Sequence, residues 1–282
     1  MAFTPASALE IFLPELPEVE TIVRGLRADV VGKRIAAVRV TLPKVALAPD
    51  GVDFCRALRG EEIVAVRRRG KFAVFELSSG RSLVVGLRMT GRLIAHARLP
   101  RRRPHTHVVV RFSDDTGLSF SDIRQFGRMR LVAHGEPWSQ HLGPEPLERD
   151  FTPEHFIGML SGRSTPVKAL LLDQRRLAGV GNIYACEALW RARVRPGKPS
   201  RSVSEPAALR LHRALVEVLE EAIDSRGSSI DDYVDSRGAR GAFQTALRVY
   251  GRHGEPCPRC GNKVVRTVLG GRGTWWCRGC QR

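Results

Sequence analysis

Four of the six cysteines in this 282-residue chain stand in two pairs, Cys257-Pro-Arg-Cys260 and Cys277-Arg-Gly-Cys280. A CxxC sets two sulfurs on one tight knuckle. Two knuckles on a hairpin, with sixteen residues between Cys260 and Cys277, bring four thiolates to one tetrahedral Zn²⁺. Four protein ligands leave no position for water, so the metal is structural, not catalytic. A redox dithiol is the competing reading, but no thioredoxin-like βαβ pattern surrounds either pair. Cys55 and Cys186 lack partners at ligand spacing and read as ordinary cysteines. The C-terminal residues 242–282 are therefore expected to form a small separate unit around one structural zinc.

The remainder is long enough for two further domains. Residues Leu16–Val30 place Val19, Ile22, Val23, Leu26 and Val30 on one helical stripe, with Pro17 and Glu18 in the first turn. Short β-rich runs follow at residues 35–42, 62–66, 71–77, 82–87, 106–112, 118–121 and 129–132, separated by turn signals as in a sandwich or barrel. The prolines of Leu142-Gly143-Pro144-Glu145-Pro146 mark a boundary. Helical periodicity then governs residues 153–160, 166–173, 183–193 and 206–225, and the Gly/Ser/Asp-rich residues 226–241 read as a mobile loop. The expected fold is α+β, in three parts: residues 14–145, a β-sandwich with its N-terminal helix; residues 146–241, a helical domain; and residues 242–282, the finger.

Lysine and arginine number 46 against 29 acids, a formal net charge of +17 and a pI near 10.8. A pI that high favours a nucleic-acid face. Basic residues gather at 67–71, at Arg98 with Arg101–Arg103, and in residues 250–282, where seven face the single acid Glu255. Alone, each cluster also fits a solvated surface. No run approaches the roughly 18 apolar residues of a membrane helix, and the opening residues lack a basic signal-peptide region. A reducing, cytoplasmic setting with no membrane partner is expected.

Gly179-Val180-Gly181-Asn182-Ile183-Tyr184 joins two helical segments. Its glycines permit a tight reversal, and Asn182 suits an N-cap. The plain reading is a capped turn. The functional one is a helix start whose amides, with the Asn182 side chain, hold a phosphate.

With these pieces stands Pro14-Glu15-Leu16-Pro17-Glu18-Val19-Glu20-Thr21, and the whole resembles the bacterial formamidopyrimidine-DNA glycosylases. The matching segments are PELPEVET, Arg69-Gly70-Lys71, Leu87-Arg88-Met89-Thr90-Gly91, Asp122-Ile123-Arg124-Gln125-Phe126-Gly127, Leu142 to Leu147, GVGNIYACEALW and the four-cysteine finger. They run in order over almost the whole chain. The opening PELPEVE is closer to this branch than to the endonuclease VIII branch of the same architecture. The resemblance implies a β-sandwich, a helix-two-turn-helix domain and a zinc finger. It implies base-excision repair of double-stranded DNA carrying 8-oxoguanine or ring-opened purines, by a monomer. It also implies roles. Pro14 is an amine nucleophile at the sugar C1′, Glu15 a general acid and base, and Lys71 a contact to phosphate near the reacting sugar. Asn182 and Arg272, with Lys168, hold DNA. Met89, Arg124 and Phe126 fill the gap left by a flipped base, and Ser228 and Ser229 lie in the segment covering that base.

Three residues depart from the family pattern. Pro14 follows thirteen residues, and a proline nitrogen inside a chain is a tertiary amide that cannot attack carbon. Leu13 stands where the family has its initiator methionine, so residues 1–13 are read as a start assigned too early, or as an extension removed by processing. Without that removal the chain is a binder of damaged DNA with no lyase activity. Gly86 replaces a frequent histidine, and Gln125 a usual basic residue.

Overall fold

The computed structural model describes residues 14–99, 103–230 and 233–282. The expectations for residues 1–13 and for Arg101 and Arg102 lie outside them. Helix α1 (Leu16–Val30) comes first, with Pro17 in its opening turn, where a missing N–H costs nothing. Then follow β1 (Ile35–Val40), β2 (Ala46–Leu47), the short helix α2 (Phe54–Leu58), β3 (Ile63–Arg69), β4 (Phe72–Leu77), β5 (Ser82–Gly86), β6 (Gly91–His96), β7 (Thr106–Phe112), β8 (Gly117–Asp122) and β9 (Arg128–Val132). They form a four-stranded sheet ordered β1-β7-β8-β6 and a five-stranded sheet ordered β2-β9-β5-β4-β3. Between them lies one apolar core containing Phe75, Val85, Phe112 and Phe120, closed by the α1 stripe from Val19 to Val30. The sandwich is as expected. Strands β2 and β6 and helix α2 are additions, since β2 is two residues long, Gly91-Arg92-Leu93-Ile94-Ala95-His96 alternates weakly and α2 is a little over one turn.

Helices α3 (Pro153–Leu160), α4 (Val167–Leu172), α5 (Asn182–Arg191) and α6 (Glu205–Asp224) build the second module. Their core takes in Leu16 at the head of α1. The finger is the hairpin β10 (Val264–Leu269) and β11 (Arg272–Cys277), paired antiparallel. It is less separate than its sequence suggests. Cys257, Val264, Trp275 and Cys277 are buried in the same apolar cluster as α5 and α6, so the finger is an outgrowth of the helical core. A unit this small cannot bury enough apolar surface alone.

The described residues of the 226–241 segment, 226–230 and 233–241, also correct their sequence reading. Ser228, Ser229, Asp235 and Ser236 are buried. Ser229 Oγ accepts from the Gly241 amide at 2.9 Å and donates to the Tyr233 carbonyl at 2.9 Å. The Ser236 carbonyl accepts from the Ala95 amide at 3.0 Å, tying the segment to β6. Small polar residues looked mobile in sequence because their partners, α1 and β6, lie far away in the chain.

Candidate active site

Two helix starts meet head to head. The Leu16 amide donates to the Gly179 carbonyl at 3.0 Å, fixing the beginning of α1 against the turn before α5. Gly179 has φ +86, and a β-carbon there would come within 2.8 Å of Leu16. Glu15 caps α1 and reaches across, its Oε1 accepting from the Ile183 amide at 3.0 Å. Gly181, not Asn182, is the N-cap of α5. The α5 start therefore holds an anion, as its positive end favours, but that anion is Glu15.

Glu15 is almost fully buried, and its Oε2 has no hydrogen-bond partner among the described residues. Burial pushes its carboxyl up to about 7, helped by Glu18 and opposed by the positive charge of Lys71. A carboxyl with one unengaged oxygen, protonated near neutrality, can deliver and recover a proton. Behind it, Glu18 Oε2 accepts from the Glu15 amide at 2.9 Å. Its Oε1 accepts from the Tyr184 hydroxyl and, at 2.8 Å, from the Ser228 amide. Burial raises the Glu18 carboxyl and lifts the Tyr184 phenol well above its usual range. The link from Glu15 through Glu18 to Ser228 was not anticipated, because Glu18 reads in sequence as a first-turn helix acid.

The cations converge from three modules. Lys71 follows β3 at the turn into β4. Burial lowers its ammonium, as do the charges of Arg272 and Arg88, while Glu15 holds it up. Arg272, exposed at the start of β11, is thereby placed within electrostatic reach of Lys71. Its strand is held from below. Lys168 is fully buried and donates to the Gly273 carbonyl at 2.8 Å and to Thr274 Oγ1 at 2.6 Å. Asn182 Nδ2 donates to the same carbonyl at 3.1 Å. In this structure both residues support the finger, and Lys168 presents no charge to solvent.

The basic run 67–71 divides. Arg67 is exposed and pairs with Glu76 at 2.6 Å. Arg68 points inward to Glu145 and to Glu20, the latter at 3.0 Å. Arg69 meets Glu145 at 2.9 Å and the Leu142 and Gly143 carbonyls at 2.8 Å each, and the Gly70 amide also donates to Glu145. This cluster is an internal tie that seats Lys71, not a solvated DNA face.

The third group sits on two loop tips. Met89, half-buried, lies between β5 and β6; Arg124 and Phe126 lie between β8 and β9. Phe126 is 50% exposed and Ile123 53%, so neither is a core residue. The Arg124 guanidinium lies 5.1 Å from the Phe126 ring centre. Arg88 and Gln125, each beside one of these side chains, have φ 57 and 58. Non-glycine residues adopt that backbone only where their surroundings enforce it. The enforcement is Asp122, 1% exposed. It accepts from the Thr90 hydroxyl, from the Arg124 amide at 3.2 Å and from the Gly127 amide at 2.6 Å. One carboxylate thus joins both tips. Its place in the sequence motif was evident, its task was not.

At the finger, the Cys257, Cys260, Cys277 and Cys280 sulfurs all lie within 4.8 Å of one another, with 3.9 Å from Cys257 to Cys280 and 3.5 Å from Cys260 to Cys277. Tetrahedral zinc with bonds of about 2.3 Å needs sulfurs about 3.8 Å apart. The four thiolates fit that ion and close its coordination.

A sandwich, a helical module and a zinc hairpin that aim an acid and several cations at one junction define an enzyme site facing an anionic polymer. Three family models match: the formamidopyrimidine-DNA glycosylase N-terminal domain over residues 13–129, its H2TH domain over 142–234, and the zinc finger found in FPG and IleRS over 254–282. The formamidopyrimidine-DNA glycosylase of Heliobacterium modesticaldum is 45% identical, over 96% of this chain and 100% of that protein. That of Moorella thermoacetica is 46% identical over 90% and 94%. Among solved structures, MutM (FPG) from Thermus thermophilus matches with TM-score 0.83 and 45% identity, covering 95% of this chain and 98% of that one. A mutant of the Lactococcus lactis FPG, in complex with a Fapy-dG containing DNA, matches with TM-score 0.88 and 36% identity, over 95% and 100%. The chain belongs to the formamidopyrimidine-DNA glycosylase family.

Proposed function

We propose that this chain excises oxidised purines, 8-oxoguanine and formamidopyrimidines, from double-stranded DNA and then cleaves the strand at the resulting abasic site. The observation that carries this reading is Glu15: a buried, proton-holding carboxyl next to Pro14, at the junction of two helix starts, with Lys71 in electrostatic reach and Arg272 in reach of Lys71.

The reaction begins with the Pro14 secondary amine, which must be unacylated. Its nitrogen bonds to the sugar C1′ as the C1′–base bond breaks, and the amine proton is lost. Glu15 protonates the ring oxygen O4′, the ring opens, and an iminium links Pro14 to C1′. Glu15 in its anionic form then removes the C2′ proton. The 3′ phosphate departs by β-elimination, and the 5′ phosphate by δ-elimination. Lys71 and Arg272, with Asn182 at the base of the finger, hold the phosphates flanking the sugar. Met89, Arg124 and Phe126 enter the gap left by the extruded nucleoside: the ring wedges, the thioether adapts, and the guanidinium bonds the orphaned cytosine. Zinc, when bound by the four cysteines, supplies rigidity to the hairpin that carries Arg272. The chain works as a monomer on bacterial chromosomal DNA in the cytoplasm.

The N-terminal domain match begins at residue 13, next to Pro14. The test is borohydride trapping on an 8-oxoguanine duplex, combined with intact mass of the native protein. A chain beginning at Pro14 forms a covalent adduct; one retaining residues before Pro14, or carrying Pro14→Gly, forms little or none. A chain shown to begin at Pro14 that binds the duplex without adduct is a non-catalytic damage binder, and the proposal fails. Faster excision of thymine glycol than of 8-oxoguanine would assign it instead to endonuclease VIII chemistry.

A further inference from the structure

Helix α5 touches the finger at both of its ends. Asn182, its first residue, holds the Gly273 carbonyl. Trp190, near its last, points its indole nitrogen at Cys257 Sγ, 3.3 Å away. An indole N–H only donates. The sulfur it faces is one of the four that fit zinc, and a ligating sulfur is a thiolate carrying negative charge. The contact is thus a charge-assisted hydrogen bond to a ligand atom, of the kind that orients a ligand and tunes its hold on a metal.

The surroundings keep this bond dry and fixed. Trp190 is 8% exposed and Cys257 2%. The Arg259 guanidinium covers the indole, 4.1 Å from the ring centre, and its two terminal nitrogens donate to the Trp190 carbonyl at 2.9 Å and the Arg191 carbonyl at 3.3 Å. Arg259 sits inside the Cys257-x-x-Cys260 knuckle, so the knuckle grips the same tryptophan from its other side. Cys260 on the same knuckle is exposed, with no such cover.

We propose that Trp190 is part of the zinc site: its indole N–H, bonded to the Cys257 thiolate, slows release of the metal and makes retention of zinc depend on the docking of the finger against helix α5. The bond withdraws electron density from sulfur, so the thiolate is a poorer target for protons and oxidants while it stays on the metal. Breaking it frees the Cys257 end of the knuckle to lift from the ion.

The experiment compares two substitutions in the folded, zinc-loaded chain. Trp190→Phe keeps an aromatic ring under Arg259 and removes the donor. Trp276→Phe removes an indole that donates to Thr267 Oγ1 at 3.2 Å and meets no sulfur. Zinc transfer to a metallochromic chelator is expected to quicken about tenfold in Trp190→Phe, at the low end for loss of such a partner, and to match the parent in Trp276→Phe. In the cobalt-substituted proteins, the sulfur-to-metal charge-transfer band of Trp190→Phe moves to longer wavelength, because the unbonded thiolate is richer in electrons. A parent-like release rate, or equal acceleration in both variants, overturns the proposal. If Trp190→Phe loosens the finger too far for rates to be compared, the cobalt band decides: unshifted, it refutes the bond.

Discussion

Glu15 and Gly181 are in direct steric contact: a β-carbon built on the glycine would overlap the glutamate carboxyl group. Gly181 has φ −130, so alanine suits its backbone, and the three atoms nearest such a β-carbon all belong to the Glu15 carboxyl group. Gly181→Ala must therefore push Glu15 off the Ile183 amide. A displacement of about 1 Å at a reacting group costs on the order of 100-fold. Single-turnover excision should fall by about that factor, with zinc content and duplex affinity close to the parent. A variant retaining full rate would mean that the Glu15 position is not critical.

The raised Glu15 carboxyl makes both activity and stability depend on pH. Its folded value of about 7 stands above its ordinary 4.5, so burial favours the protonated form. The sign follows: the contribution to stability is fully present below 4.5 and is lost as pH rises through 7. For a shift of this size the loss is about 3 kcal/mol. Glu15→Gln cannot undergo it. Urea unfolding of both proteins should show the variant gaining about 3 kcal/mol relative to the parent between pH 4.5 and pH 8. Excision by the parent should decline on the alkaline side of pH 7, where the proton for O4′ is gone. A pH-independent stability difference would mean that Glu15 titrates as an exposed carboxyl does.

Much of this site was legible in the sequence, and the part that was not has a common cause. The helix Leu16–Val30 was readable because its apolar period, its proline and its first-turn acids all agree. The four sulfurs were readable because CxxC spacing is itself the geometry of a knuckle. Glu18, Asp122 and Glu145 were not, because each has a partner remote in the chain: the Ser228 amide for Glu18, the Thr90 hydroxyl for Asp122, and Arg68 to Gly70 for Glu145. Buried carboxylates that organise loops leave no periodic trace. Arg68 and Arg69 misled for the same reason, since an arginine inside an ion-pair network is written with the same letter as one facing a phosphate.

Asp122 is the simplest of these to test. It anchors three donors and holds two loop tips whose strained residues, Arg88 and Gln125, need that restraint. Asp122→Ala removes it, and a buried side chain with several hydrogen bonds costs about 2–3 kcal/mol of stability when lost. The expected functional signature is specific: affinity for a lesion-containing duplex falls about tenfold, because Arg124, Phe126 and Met89 are no longer held together, while zinc content is unchanged. Undiminished affinity, measured by fluorescence anisotropy, would show that the tips are set by their own loops.

Neighbouring arginines on β3 offer a comparison of buried and exposed ion pairs within one strand. The Arg67 side chain is 68% exposed and that of its partner Glu76 39%. Such pairs contribute roughly 0–1 kcal/mol, so Glu76→Gln should barely move the unfolding midpoint. Arg68 is 6% exposed and Glu145 9%, and Glu145 also takes Arg69 and the Gly70 amide. Glu145→Gln leaves the buried Arg68 guanidinium with Glu20 as its remaining acidic partner, and the partly exposed Arg69 facing a neutral amide. Breaking a buried pair from one side costs about 3–5 kcal/mol. Because Gly70 precedes Lys71, the same substitution should lower excision more than it lowers binding to undamaged duplex. Equal midpoints for the two variants, in urea at constant slope, would mean that water reaches the Arg68 pocket and screens it as it does Arg67.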